Sequence, residues 1–168
     1  MRKLWKGNRS YFPSIVAIVV AIVILSGCSG KDDKIAETLS ATQVGNRIVQ
    51  SMNLQDMKEG DQNKLQKWYK IDADSVDDFI LYTTTSNVRA DELAVIKVKD
   101  QSQAASVKEK IEQRIEAQKI KFKDYRPNEY FLVENHVLKT NGPFVFFAVS
   151  KEVAQMEEAF DDACKQIQ

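Results

Sequence analysis

The sequence predicts an α+β fold: a single antiparallel sheet of about four strands in two hairpins, packed by a long central amphipathic helix, with flanking N- and C-terminal helices. Three observations predict it. Residues 79–85 with 93–98, and 137–140 with 144–149, are paired runs of β-branched and aromatic side chains, the kind that fit a pleated, half-buried surface. Asn141-Gly142 separates the last two runs, and this dipeptide accepts the left-handed backbone of a tight hairpin turn. Between the hairpins, residues 101–123 place Ala104, Val107, Ile111, Ile115, Gln118 and Phe122 on one stripe, with Lys108, Glu109, Glu112, Gln113 and Glu116 outside it, as in a surface helix lying on a sheet.

Taken in chain order, Val44, Ile48, Val49 and Met52 recur at helical spacing, predicting a helix over 42–53 behind a Thr42 cap. Gln62–Tyr69 reads as a second helix, leading into the acidic turn Asp72-Ala73-Asp74-Ser75. The Ser86-Asn87 break suits an antiparallel connection between the first two strands. Asp100, with Gln103 three residues on, is a variant of the capping box at the head of the long helix. Pro127 and the short apolar stretch Tyr130-Phe131-Leu132-Val133 precede the second hairpin. A final helix over 152–167 sets Val153, Met156, Phe160, Cys164 and Ile167 on one face. The order α-α-β-β-α-β-β-α favours a sheet covered mainly on one face.

The first 27 residues carry a different signal. Arg2, Lys3, Lys6 and Arg9 precede an unbroken apolar run over 15–25, the pattern of a signal peptide. A permanent transmembrane helix needs about 20 apolar residues, more than this run supplies. The run ends in Leu25-Ser26-Gly27-Cys28, which resembles the lipobox of bacterial lipoproteins. That resemblance implies cleavage after residue 27, a lipid on Cys28, a flexible tether over 28–40 and a globular domain over 41–168 on the extracytoplasmic face of the cell membrane. Two acyl chains, at about 0.8 kcal/mol per buried methylene, hold a protein stably. Without the four basic residues of the leader, 20 Lys+Arg face 24 Asp+Glu, a net charge of −4. A mildly acidic domain without clustered cations excludes nucleic acid as a partner.

Motifs for catalysis are sparse. His136 is the only histidine, and it stands at the mouth of a strand without a nucleophile motif near it. With Cys28 acylated, Cys164 is a single thiol that can form neither an internal disulfide nor a cysteine-rich zinc site, and it reads as a small core residue. Asp72, Asp74, Asp77 and Asp78 invite a calcium reading, but an EF-hand loop would need an oxygen ligand at Val76, glycine at Asp77 and glutamate at Thr83. No phosphate loop, dinucleotide fingerprint or metalloprotease helix is present, so neither a metal nor a cofactor is expected.

One group stands apart. Gln118 occupies a core-facing position of the long helix, with Arg114 one turn earlier and Tyr125 just beyond its end. Asp91 and Glu92, at the head of the second strand, are the nearest candidate partners for Arg114. Two readings stand: a polar cluster that grips a ligand, or a buried tie that fixes how helix and sheet lie together.

The run over 90–100, with Val107-Lys108, Arg114, Gln118, Phe122, Tyr125, Pro127, Gly142 and Val149-Ser150, resembles a bacterial family catalogued as domain of unknown function 4358 (DUF4358). The resemblance covers roughly residues 45–160 and implies a short lipoprotein, chiefly of Gram-positive anaerobes, with Asp91, Glu92, Arg114, Gln118, Tyr125 and Pro127 as part of the family's own pattern. It implies no activity. The expected function is that of a non-enzymatic, membrane-anchored accessory protein contacting another envelope protein or a wall component. The alternative is a small-ligand-binding lipoprotein with its site around Arg114, Gln118 and Tyr125.

Overall fold

The structure, a computed structural model, describes residues 39–50, 52, 54 and 56–165. The expected signal peptide, Cys28, the tether as far as residue 38 and Ile167 lie outside the described residues. The chain runs α1 (Ala41–Gln50), β1 (Met57–Glu59), α2 (Gln62–Tyr69), β2 (Val76–Thr84), β3 (Glu92–Val98), α3 (Ala104–Phe122), α4 (Pro127–Glu134), β4 (Val137–Asn141), β5 (Phe144–Val149) and α5 (Val153–Lys165), with short 3-10 turns at Ala73–Ser75 and Gln101–Gln103.

The fold is α+β, built on one sheet of order β1-β2-β3-β5-β4 in which every neighbouring pair is antiparallel. The two predicted hairpins are β2–β3 and β4–β5, and they join through the second strand of each, Ile96 opposite Val145 and Ala94 opposite Phe147. Gly142 takes φ +54° in the Asn141-Gly142 turn, as that dipeptide predicts. A fifth strand, β1, pairs Met57 with Thr84 and Glu59 with Tyr82. Three residues are too few to show an alternation, so the sequence gives no sign of it.

Both faces of the sheet are covered, rather than mainly one. Ala94, Ile96 and Val98 of β3 and Val145, Phe147 and Val149 of β5 pack beneath α2, α3 and α4, against Leu65, Tyr69, Ile111, Ile115, Phe122 and Val133. On the opposite face Leu93, Val95, Phe144, Phe146 and Ala148 meet Val44 and Ile48 of α1 and Met156, Phe160 and Cys164 of α5. The strands themselves carry the reason: β5 is FVFFAV, apolar at every position, and a strand with no polar face cannot leave one face in water. A bulge between Val76 and Asp78 shifts the β2 register by one, so that Val76 and Leu81 point into the same core despite their odd spacing.

Local capping differs from expectation at two helix starts. Ser40, not Thr42, caps α1: its hydroxyl accepts from the Gln43 N–H at 3.0 Å, while Gln43 Oε1 accepts from the Ser40 N–H at 2.9 Å. Thr42 instead donates its N–H (2.8 Å) and hydroxyl (3.0 Å) to Asp78, tying α1 to β2. The Asp100 carboxylate accepts from the Ser102 N–H at 2.9 Å without a reciprocal bond from the Gln103 side chain, and the 3-10 turn delays α3 to Ala104. The apolar stretch 130–133 lies in a further helix, α4, with Pro127 in its first turn, where a missing N–H costs nothing. Gly45 permits α1 to touch the sheet, since a β-carbon there would stand 2.0 Å from Ile80 Cγ2. Among the described residues no helix is long and apolar enough to cross a membrane.

Candidate functional site

Where β3 begins beneath α3, even spacing places Glu92 on the same face as Ala94 and Ile96, under the helix. Its carboxylate is almost wholly buried, with the side chain 2% exposed. A charge so placed needs partners, and four donors meet it. Arg114 binds side-on, Nε to Oε1 at 3.2 Å and Nη2 to Oε2 at 3.0 Å. Gln118 Nε2 donates to Oε2 at 3.2 Å, and the Tyr69 hydroxyl donates to Oε1. Burial, reinforced by the neighbouring carboxylate, pushes the Tyr69 hydroxyl well above its ordinary pKa, so it remains a donor. The guanidinium of Arg114 also lies 4.4 Å from the centre of the Trp68 ring.

The structure thus brings together Glu92, Arg114 and Gln118 and adds Tyr69 and Trp68 from α2. It separates the other two expected members. Tyr125 is 84% exposed beyond the end of α3 and forms no part of the cluster. The chain turns after Phe122 to start α4, with the Arg126 N–H bonded to the Phe122 carbonyl at 2.9 Å, and this turn carries Tyr125 outward. Asp91 alternates away from Glu92 and belongs to a second network, accepting from Arg89 Nε (3.0 Å) and Nη2 (2.8 Å). Glu129 of α4 joins that network, its Oε1 lying 3.8 Å from Arg89 while its Oε2 accepts the Ala90 N–H at 2.8 Å.

Above Glu92 lies a groove of about 360 Å³. Its helix wall is Arg114, Ala117, Gln118 and Lys121, positions that share one face of α3 at spacings of three, four and seven. Ala117 is small enough to leave the groove open between its longer neighbours. The facing wall is the end of β2 and the β2–β3 loop, residues 84–87, with Arg89 at its rim and Trp68 closing one end. The loop is shaped by its own side chains: Thr84 Oγ1 accepts the Ser86 N–H at 3.1 Å, and Ser86 Oγ accepts the Val88 N–H at 3.4 Å. Sequence reasoning did not mark Lys121, although its seven-residue spacing from Arg114 was available as a signal. Trp68 and Tyr69 carried none, since the contacts of Tyr69 with Glu92 and of Trp68 with Arg114 are tertiary.

The remaining candidates are structural. His136 caps α4, its Nδ1 2.7 Å from the Val133 carbonyl, and its ring tilts against Phe147 at 6.2 Å. Cys164 is buried in the core, and burial pushes its thiol up to about 11. Asp77 pairs with Lys97 at 3.1 Å, Asp78 holds Thr42 and Asp72 accepts from Gln66 of α2 at 3.1 Å, so three of the four clustered acids are ties within the fold. Among the described residues no group of three or more His, Cys, Asp or Glu is placed to hold a metal ion.

No curated protein and no solved structure matches this chain. A family model described as domain of unknown function (DUF4358) matches residues 50–150, more than half of the chain, and spans β1 to β5 with every residue of the Glu92 cluster. The chain therefore belongs to the DUF4358 family.

Proposed function

We propose that this chain is a lipoprotein held by the Cys28 lipid on the outer face of the cytoplasmic membrane, and that its domain is a non-enzymatic module binding a small ligand in the groove between α3 and the β2–β3 loop. The groove carries the ligand reading: a concavity of about 360 Å³ whose floor is an immobilised Glu92–Arg114–Gln118 cluster falls in the size range of small-molecule sites and offers a few convergent polar groups. A binding role fits better than a catalytic one. Glu92, the one carboxylate among the groove's lining residues, is saturated by four donors and has no oxygen free to act as a base. The basic leader, apolar run and Leu25-Ser26-Gly27-Cys28 box support the anchor.

Thermal melting of the full chain in neutral detergent, against a panel of small envelope constituents, tests this reading. A true ligand at a hundred times its Kd stabilises by about 2.7 kcal/mol, and that gain should vanish when Ala117→Leu fills the groove. A panel without a stabiliser, or one whose effect survives Ala117→Leu, would overturn it. For the anchor, Cys28→Ala should release the protein from washed membranes; full retention, with no lipid mass on the N-terminal peptide, would sink that part. A second reading, contact with an envelope protein or wall component, is favoured by Ile120, Tyr125 and Phe131, which stand 78%, 84% and 63% exposed on and between α3 and α4. In-cell crosslinks to one envelope protein that are lost in Phe131→Ser would favour it.

A further inference from the structure

We infer that the groove is an oxyanion site, taking the carboxylate or phosphate of a small ligand between Arg114 Nη1 and Lys121 Nζ, with the hydroxyls of the β2–β3 loop closing on it from the other side. The inference rests on the ligand-binding reading above and names the chemistry of that ligand.

Arg114 gives Nε and Nη2 to Glu92, and its Nη1 bonds to no group among the described residues. No buried side-chain nitrogen or oxygen among those residues lacks a partner, so Nη1 is not buried, and it opens to the groove that Arg114 lines. Pinned by Glu92 on one edge and by the Trp68 ring on its face, the guanidinium presents its free edge in a fixed orientation, and little side-chain freedom is lost when an anion arrives. Lys121 stands two turns further along the same face. Its ammonium touches the Phe122 ring at 4.6 Å, and no carboxylate lies within ion-pair distance of it among the described residues. Desolvation, then the charge of Arg114, lowers its pKa, and the more weakly acting charge of Glu92 does not offset them.

The opposite wall is matched to the same kind of guest. Thr84 and Ser86 already accept backbone N–H groups through their hydroxyl oxygens, so each keeps its proton to donate into the groove. Donors therefore converge from both walls, and an acceptor-only oxyanion satisfies them together. The charge balance agrees: Arg114 neutralises Glu92, the sole acid lining the groove, and Asp91 and Glu129 offset Arg89 at the rim, so Lys121 is the surplus charge of the lining. This excess stands in a chain whose formal net charge is zero. Stacking is a poor alternative, because the Trp68 ring is already engaged by Arg114 and, at 5.0 Å, by the Lys64 ammonium.

Titration of the full chain in neutral detergent, followed by NMR shifts of the Lys121 side chain and by melting temperature, decides the matter with three probes at matched ionic strength: inorganic phosphate, succinate and neutral N-acetylglucosamine. Saturable binding of phosphate or succinate, with a rise in the Lys121 pKa, is expected, and the tighter of the two identifies the anion's source. Lys121→Gln should weaken it at least tenfold and Ala117→Leu should abolish it. Lys123→Gln, which removes the same charge from an exposed position outside the groove, should leave it within a factor of two. Equal losses in Lys121→Gln and Lys123→Gln would reduce the effect to general electrostatics and overturn the site. Binding of N-acetylglucosamine alone, sensitive to Ala117→Leu, would overturn the oxyanion while leaving a ligand groove in place. Failure of all three probes would overturn the oxyanion inference, and a stabiliser from the wider panel would then show whether the groove binds anything else.

Discussion

The two faces of the sheet use the same strands and hold their helices by different physics. Beneath α1 and α5 the core is dry: Phe146 stacks on Phe160 at 4.7 Å, with Val95, Met156 and the Cys164 thiol around them. Beneath α3 an apolar layer of similar make-up is interrupted by Glu92 and the donors gathered on it. A buried ion pair is seldom a better source of stability than apolar side chains of the same volume, because desolvation of the two charges offsets much of their attraction. The α3 face therefore departs from the simplest way of packing a helix, and it does so where Arg114 and Lys121 line the groove. Losses on the dry face should follow volume removed, whereas losses on the α3 face should follow which partner of a charge is taken away.

The largest effect is expected on the dry face. Phe160→Ala removes a ring with no exposure and should cost about 3–5 kcal/mol, read from denaturant melts. It should do so without altering ligand binding in the groove; a loss under about 1 kcal/mol would mean that α5 is not held by this stack. On the other face Arg114→Ala should cost about 3 kcal/mol, the low end for breaking a buried pair, since Tyr69 and Gln118 still reach Glu92. The sharper measurement is the combined variant Glu92→Leu/Arg114→Leu/Tyr69→Phe/Gln118→Leu. It should recover most of that loss, because neither a buried charge nor a buried donor is then left without a partner. If the combined variant is as unstable as Arg114→Ala, the cluster is a true source of stability and the contrast between the faces fails.

The dry face was the harder to foresee. The stripe of α3, both hairpins and the Asn141-Gly142 turn are local patterns, written at spacings of two or three to four residues, and they are where expected. That α1 and α5 lie together on the second face is a tertiary fact, hinted at only by the unbroken apolar run of β5. The site divides in the same way. Arg114, Gln118 and Glu92 were legible because a polar residue in an apolar stripe must find a partner. Tyr125 was expected just beyond the end of the helix and lies there, but the turn after Phe122 carries its ring outward, away from Gln118. Asp91 and Glu92 looked equivalent in sequence, and strand alternation sends them to different networks.

A pH experiment separates the faces further. The Cys164 thiol is raised from 9.0 to about 11 by burial. Its folded pKa exceeds the unfolded one, so its contribution is fully present below pH 9 and is lost as pH rises toward 11, where the unfolded thiol ionises first. Two units correspond to roughly 2.5 kcal/mol. Because Tyr and Lys groups titrate in the same window, the informative quantity is the difference between the chain and its Cys164→Ala variant, whose stability should fall less steeply over that range. Parallel curves would show that the thiol is open to solvent. Rapid alkylation of Cys164 at pH 8 in the folded chain would show the same.

The smallest effect is expected at Gln118, and it bears on the contrast most directly. Gln118→Leu removes one of four donors to Glu92, but Oε2 retains Arg114 Nη2 at 3.0 Å, so no buried acceptor is left without a partner. The only side-chain bond of Gln118 among the described residues is the one it donates to Glu92, so losing its side-chain oxygen leaves no orphaned donor. Against the missing bond stands a leucine of similar length in an otherwise apolar stripe between Ile115 and Phe122. The two contributions should nearly cancel, giving a change within about 1 kcal/mol, a few degrees in melting temperature. Binding in the groove should respond differently, since Gln118 lines it and a leucine there presents no hydrogen-bonding group. Unchanged stability with weakened binding would separate the scaffold role of Arg114 and Glu92 from the recognition role of the groove wall. A loss of 2 kcal/mol or more would instead make Gln118 part of the tie itself, with all four donors acting on Glu92 as one unit.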